Sequence, residues 1–131
     1  MKPTRVVGLV LCKRLHVDPG LAELSLVGLF HSLELASWPS APQSFTVYTA
    51  LHGGEGEGRM ELIVTQMATE LDLFRRRWWY ALPGRRRTVH LEVPIRRCVF
   101  PAPGRYGVTL RFENEDLNRR SFDVNPRRGN P

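Results

Sequence analysis

The strictest hydrophobic alternation in the chain falls at Tyr106, Val108, Leu110 and Phe112, with Gly107, Thr109 and Arg111 between them. A period of two sends successive side chains to opposite faces, so this stretch predicts a half-buried β-strand. It is entered through Phe100-Pro101-Ala102-Pro103-Gly104, where fixed and permissive backbone angles together form a rigid corner. The same grammar recurs along the chain. Val6 to Cys12 is a short apolar run ended by Lys13-Arg14, and Leu24 to Leu35 is a second, joined to the first by a turn at Asp18-Pro19-Gly20. Trp38-Pro39-Ser40-Ala41-Pro42 interrupts regular structure, because each proline removes a donor and biases its predecessor toward extended geometry.

A further strand is predicted with Phe45, Val47, Thr49 and Leu51 on one face and Thr46, Tyr48 and Ala50 on the other. The flexible run Gly53-Gly54-Glu55-Gly56-Glu57-Gly58 then leads to Met60, Leu62 and Val64, which alternate with Glu61, Ile63 and Thr65 and predict the second arm of a hairpin. Thr69 to Leu82 carries two patterns. Thr69 and Asp72 resemble a capping box, and Leu71, Phe74, Trp78 and Leu82 share a helical face. The aromatic content at Trp78, Trp79 and Tyr80 and the surrounding strands favour instead a turn near Glu70-Leu71-Asp72 followed by a strand. Val89, Leu91, Val93 and Ile95 alternate up to and past Pro94, which marks an edge or a bulge. After a turn at Asn114-Glu115-Asp116, a last short strand surrounds Phe122 and Val124. These segments predict an all-β fold: a single antiparallel β-sandwich of about seven or eight strands with at most one short helix, occupying residues 1–125, and a polar tail over 126–131.

At 131 residues the chain suits one domain with a core large enough to need neither disulfides nor metal. No run approaches the ~20 apolar residues of a membrane span, and the N-terminal stretch lacks the apolar core and cleavage site of a signal peptide, so a soluble, cytoplasmic protein is expected. Cys12 and Cys98 each sit in an apolar run, which predicts buried, reduced thiols rather than a redox pair.

Charge is unevenly distributed. Residues 1–74 carry a net charge of −3 and residues 75–131 a net charge of +9, making up the total of +6, and arginine outnumbers lysine 17 to 2. The planar guanidinium suits carboxylate and phosphate partners. The densest basic segment is Arg75-Arg76-Arg77-Trp78-Trp79-Tyr80 with Arg85-Arg86-Arg87 beyond Pro83-Gly84. Arg75, Arg76, Arg77, Trp78, Trp79, Arg85, Arg86 and Arg87 are therefore the candidate contact patch, weighed against core aromatics with a solvated basic rim.

Motifs for chemistry are missing from the sequence. His16, His31, His52 and His90 lack metal-ligand spacing, and the glycine-rich run carries carboxylates where a phosphate would sit. Glu55, Glu57, Glu113, Glu115 and Asp116 are too few for a calcium loop, and no serine lies in a Gly-x-Ser-x-Gly elbow. The expectation is a non-catalytic module with no cofactor and no metal, acting through protein–protein interaction. The alternative is binding of nucleic acid or an anionic phospholipid surface through residues 75–87, with the steep salt dependence of phosphate contacts.

Leu9-Val10-Leu11-Cys12, His16-Val17-Asp18, Ser25 to Phe30, Trp38-Pro39 and Phe100 to Tyr106 together resemble an uncharacterised bacterial family of short β-sandwich proteins. The resemblance spans about Val6 to Val124 and implies a fold; it carries no functional residue across. Arg75 to Arg87 departs from the family's pattern.

Overall fold

Alternating apolar positions can be buried only if each strand finds a sheet, and here they find two. The computed structural model describes residues 5–20 and 23–128. Its nine strands are β1 (Arg5–Asp18), β2 (Glu23–Phe30), β3 (Ser32–Leu35), β4 (Gln43–His52), β5 (Glu57–Gln66), β6 (Leu71–Ala81), β7 (Thr88–Cys98), β8 (Gly104–Phe112) and β9 (Glu115–Pro126). One sheet has the order β2-β1-β4-β7 and the other β3-β9-β8-β5-β6. No helix occurs among the described residues.

The count of nine corrects the expected seven or eight, and the pairing is not purely antiparallel. Leu24 to Leu35 reads as one apolar run, but the chain leaves the first sheet at His31 and enters the second, where β3 pairs in parallel with β9. The apolar content of the run is the same on either side of the switch, so periodicity does not mark it. A second correction concerns β4 and β5. They are not a hairpin: β4 pairs with β1 and β7, β5 with β6 and β8, and residues 53–56 cross between sheets. β1 also runs past Lys13-Arg14 to Asp18, because Arg14 to Asp18 pair residue by residue with β2.

Other expectations hold with shifted ends: Leu71 and Asp72 already pair with β5, Glu115 and Asp116 already pair with β8, and the last strand, expected to be short, runs 12 residues to Pro126 because β3 pairs with its far end. Phe45, Val47, Thr49 and Leu51 are all buried on one face of β4. The stretch after Glu70 is strand β6, with its turn over residues 67–70. Pro94 lies on β7, which is the edge of its sheet, where a missing backbone donor is tolerated. The β8–β9 hairpin turns at Glu113 and Asn114, both with positive φ, as a two-residue turn matching the right-handed strand twist requires.

One hydrophobic core joins the inner faces of the two sheets. Leu11, Val47 and Ile95 from the first face Leu62, Val64, Val108 and Leu110 from the second. At one end the core is aromatic: the Phe45 and Phe122 ring centroids are 6.2 Å apart, and Phe100 stands edge-on to Tyr106 at 4.9 Å. The Tyr106 hydroxyl donates to the Ala102 carbonyl at 2.5 Å, pinning the Pro101–Gly104 corner against the strand it precedes, in the manner of a tyrosine corner.

Candidate interaction surface

The contact patch proposed from sequence is split by the pleat. β6 ends the five-stranded sheet and pairs only with β5, placing Arg75, Arg77 and Trp79 opposite Ile63, Glu61 and Arg59 on the outer face. Phe74, Trp78 and Tyr80 face inward and pack, half-buried, on the core. Trp79 is 65% exposed. The two tryptophans thus have different roles: one closes the open side of the core, the other stands in solvent.

Arg75 and Arg77 are held by an acid that the sequence pattern did not single out. Glu61 lies on the outer face of β5, and its side chain is only 9% exposed. Its Oε2 receives the Nε of Arg77 at 2.6 Å and lies 3.4 Å from Arg75 Nη1, while Oε1 lies 3.4 Å from Arg111 Nη1. Arg75 also bonds Asp72 at 2.5 Å, and Arg111 bonds Asp116 at 2.7 Å. Three arginines and three carboxylates from β5, β6, β8 and β9 therefore form one balanced network. A nearly buried carboxylate requires such compensation, since an unpaired charge out of water is costly. Burial alone would raise the Asp72 pKa; hydrogen bonds from Arg75 and Thr65 and the charges of Arg75 and Arg111 outweigh it and hold the carboxyl below its ordinary value. Arg119 lies across Gly107 on the same face, its Nε only 3.0 Å from where a Cβ at position 107 would stand.

Arg76 has a different environment. Alternation puts it in the inward row opposite the buried Leu62, but at the sheet edge its head reaches solvent and stacks 6.0 Å from the Trp78 ring centroid. Beyond it lies the open side of the molecule, where β6 faces β7, the edge of the other sheet. Two adjoining hollows that share Arg76 occupy this side. One, about 450 Å³, is lined by Phe74, Arg75, Arg76, Pro94 and Arg96; the other, about 180 Å³, by Arg76, Trp78, Leu91, Glu92 and Val93.

The second arginine triplet is not part of this surface. Arg85, Arg86 and Arg87 lie in the loop between β6 and β7, where Arg87 is bonded through its backbone to Gly53 and Gly84 and Arg85 pairs loosely with Glu55 at 3.3 Å. The triplets occupy the body of β6 and the loop beyond its end. Glu61, Asp72, Arg96 and Arg111 are the members of the surface that sequence reasoning missed. A lone acid inside Met60-Glu61-Leu62-Ile63-Val64 was the available signal for the first.

Cys12 and Cys98 are buried and unpaired with each other, and burial pushes the Cys98 thiol up to about 11. Among the described residues no three His, Cys, Asp or Glu side chains converge as a metal centre requires, and no helix is long and apolar enough to cross a membrane.

An all-β domain of two facing sheets, open along one arginine-flanked side, is the class of protein these features define. The chain belongs to a family of unknown function (DUF6941), whose model matches residues 8–125. Among solved structures it is similar to an immunoglobulin-like protein from Pseudomonas aeruginosa, at 13% identity over 94% of this chain and 97% of that one, with a TM-score of 0.47. No curated protein matches it.

Proposed function

We propose that this chain is a non-catalytic β-sandwich module that works by binding another protein along its open β6/β7 side. The observation that carries the reading is Trp79, 65% exposed on the outer face of the edge strand of the five-stranded sheet, whose inward residues Phe74 and Trp78 line two hollows on the open side. A large aromatic in water next to an unpaired strand edge is the composition of a protein contact, where tryptophan and arginine are enriched. Binding of an anionic polymer is less well supported, because Arg75, Arg77 and Arg111 already pair with carboxylates of the same chain.

The test is affinity capture from native lysate at two salt concentrations, with and without nuclease, comparing the wild type with an Arg76→Gln/Trp79→Ala variant. Neither residue takes part in the Glu61 network and both are exposed, so the variant is expected to fold, which its thermal melt checks. A nuclease-resistant protein lost by the variant is the expected result. Equal capture by both proteins, or nucleic acid released by salt and nuclease, contradicts the reading.

A further inference from the structure

We propose that β6 accepts an extended acidic segment of the partner as a sixth strand of the five-stranded sheet, its carboxylates meeting Arg76 and Arg96 and its apolar side chains entering the hollow between β6 and β7. This rests on the interaction-module reading and names the partner's chemistry. β6 offers an 11-residue strand whose outer backbone row has no strand partner among the described residues. Such a row is a template for strand addition, in which backbone pairing gives affinity and alternate side chains give specificity.

The side chains along that edge set the specificity. Arg76 and Arg96 flank the larger hollow, and among the described residues neither pairs with a carboxylate, whereas Arg75 and Arg77 on the same strand are committed to Glu61 and Asp72. Between the two guanidinium groups the larger hollow is floored by Phe74 and Pro94, while the smaller one, on the far side of Arg76, is lined by Trp78, Leu91 and Val93 with the acid Glu92 at its edge. A strand whose inward face carries an acidic residue beside Arg76 and apolar residues two positions away matches both features, because residues i and i+2 share a face.

A second copy of this chain fits poorly. The middle residue of β6 is Arg76, so the antiparallel register that pairs the whole strand with itself sets Arg76 against Arg76 and Arg75 against Arg77. Like charges directly opposite are destabilising, which disfavours self-pairing and favours a partner of opposite sign.

The experiment is selection from a display library of random decapeptides, run on the wild type and on an Arg76→Glu/Arg96→Glu variant. The strongest wild-type peptide is then titrated against both proteins while backbone-amide exchange of β6 is followed. The wild type is expected to select peptides that set acidic and apolar residues two positions apart, on one face of the strand, with no central proline. The charge-reversed variant should bind the selected peptide about tenfold more weakly or worse and shift its own selection toward lysine and arginine. Amide protection should rise along β6. Selection without charge preference, an unchanged affinity in the variant, protection elsewhere than β6, or displacement by a single-stranded oligonucleotide or by phosphatidylserine vesicles each overturns the proposal. If the peptides fail while the Arg76→Gln/Trp79→Ala variant still loses its captured protein, the strand-addition mode falls and the interaction-module reading survives. If both fail, both fall.

Discussion

Arg77 Nε lies 2.6 Å from Oε2 of Glu61, a carboxylate whose side chain is 9% exposed on the outer face of the five-stranded sheet. The pair joins the edge strand to its neighbour and leaves Arg76 as the member of its triplet that faces the open side. The most basic sequence in the chain is thereby divided into arginines that hold the sheet and an arginine available to a partner.

Removing the acid should cost stability. Glu61→Gln leaves Arg75, Arg77 and Arg111 without their shared partner, but these guanidinium groups reach water. The expected loss is therefore about 1–2 kcal/mol, below the full cost of a broken buried pair. Urea denaturation measures it; an unchanged midpoint and slope would show that the network contributes nothing net.

Asp72 gives the network a pH signature. Its folded pKa lies below the ordinary 3.8, so its contribution is fully present above that value and is lost as pH falls through the lower folded value. The stability gap between the wild type and Asp72→Asn should be constant from pH 7 to about pH 5 and close below 3.8. Thermal melts at stepped pH read this, and a gap that does not narrow at all as pH falls below 3.8 would mean the carboxylate charge is not what the arginines hold.

The two adjacent tryptophans should separate stability from binding. Trp78→Ala removes an aromatic packed on the core and should destabilise by about 2 kcal/mol, whereas Trp79→Ala should stay within about 0.5 kcal/mol of the wild type. Equal losses in denaturant melts would place both side chains on the same face and contradict the pleat described above.

Both thiols should be silent in the native state. Burial is the main cause that raises each, with Cys98 at about 11, and the thiolate is the reactive form. Ellman's reagent at pH 8 should detect no thiol in native protein and two after denaturation. A single reactive thiol in native protein would reveal local opening of β1 or β7.

Much of the fold was legible from local pattern. β4 declared its buried face through Phe45, Val47, Thr49 and Leu51, and Pro94 marked its strand as an edge, because both signals act within one strand. The sheet switch at His31 and the crossing over residues 53–56 were not legible: periodicity reports which face of a strand is buried and says nothing of which sheet the strand joins. For the candidate surface, the sequence located the arginine and tryptophan run but read it as one patch. Its division depends on Glu61, whose burial is imposed by arginines 14 to 50 positions away that only the sheet register brings together.

The central claim is that the β6 edge is where a partner sits. The most direct measurement places a photo-crosslinking amino acid at position 79 and, as a control, at position 29, which is comparably exposed on the edge strand β2 of the other sheet. Irradiation in the native host should trap a discrete protein adduct from position 79 and none from position 29. Adducts from 29 alone, or the same adducts from both positions, would contradict the account.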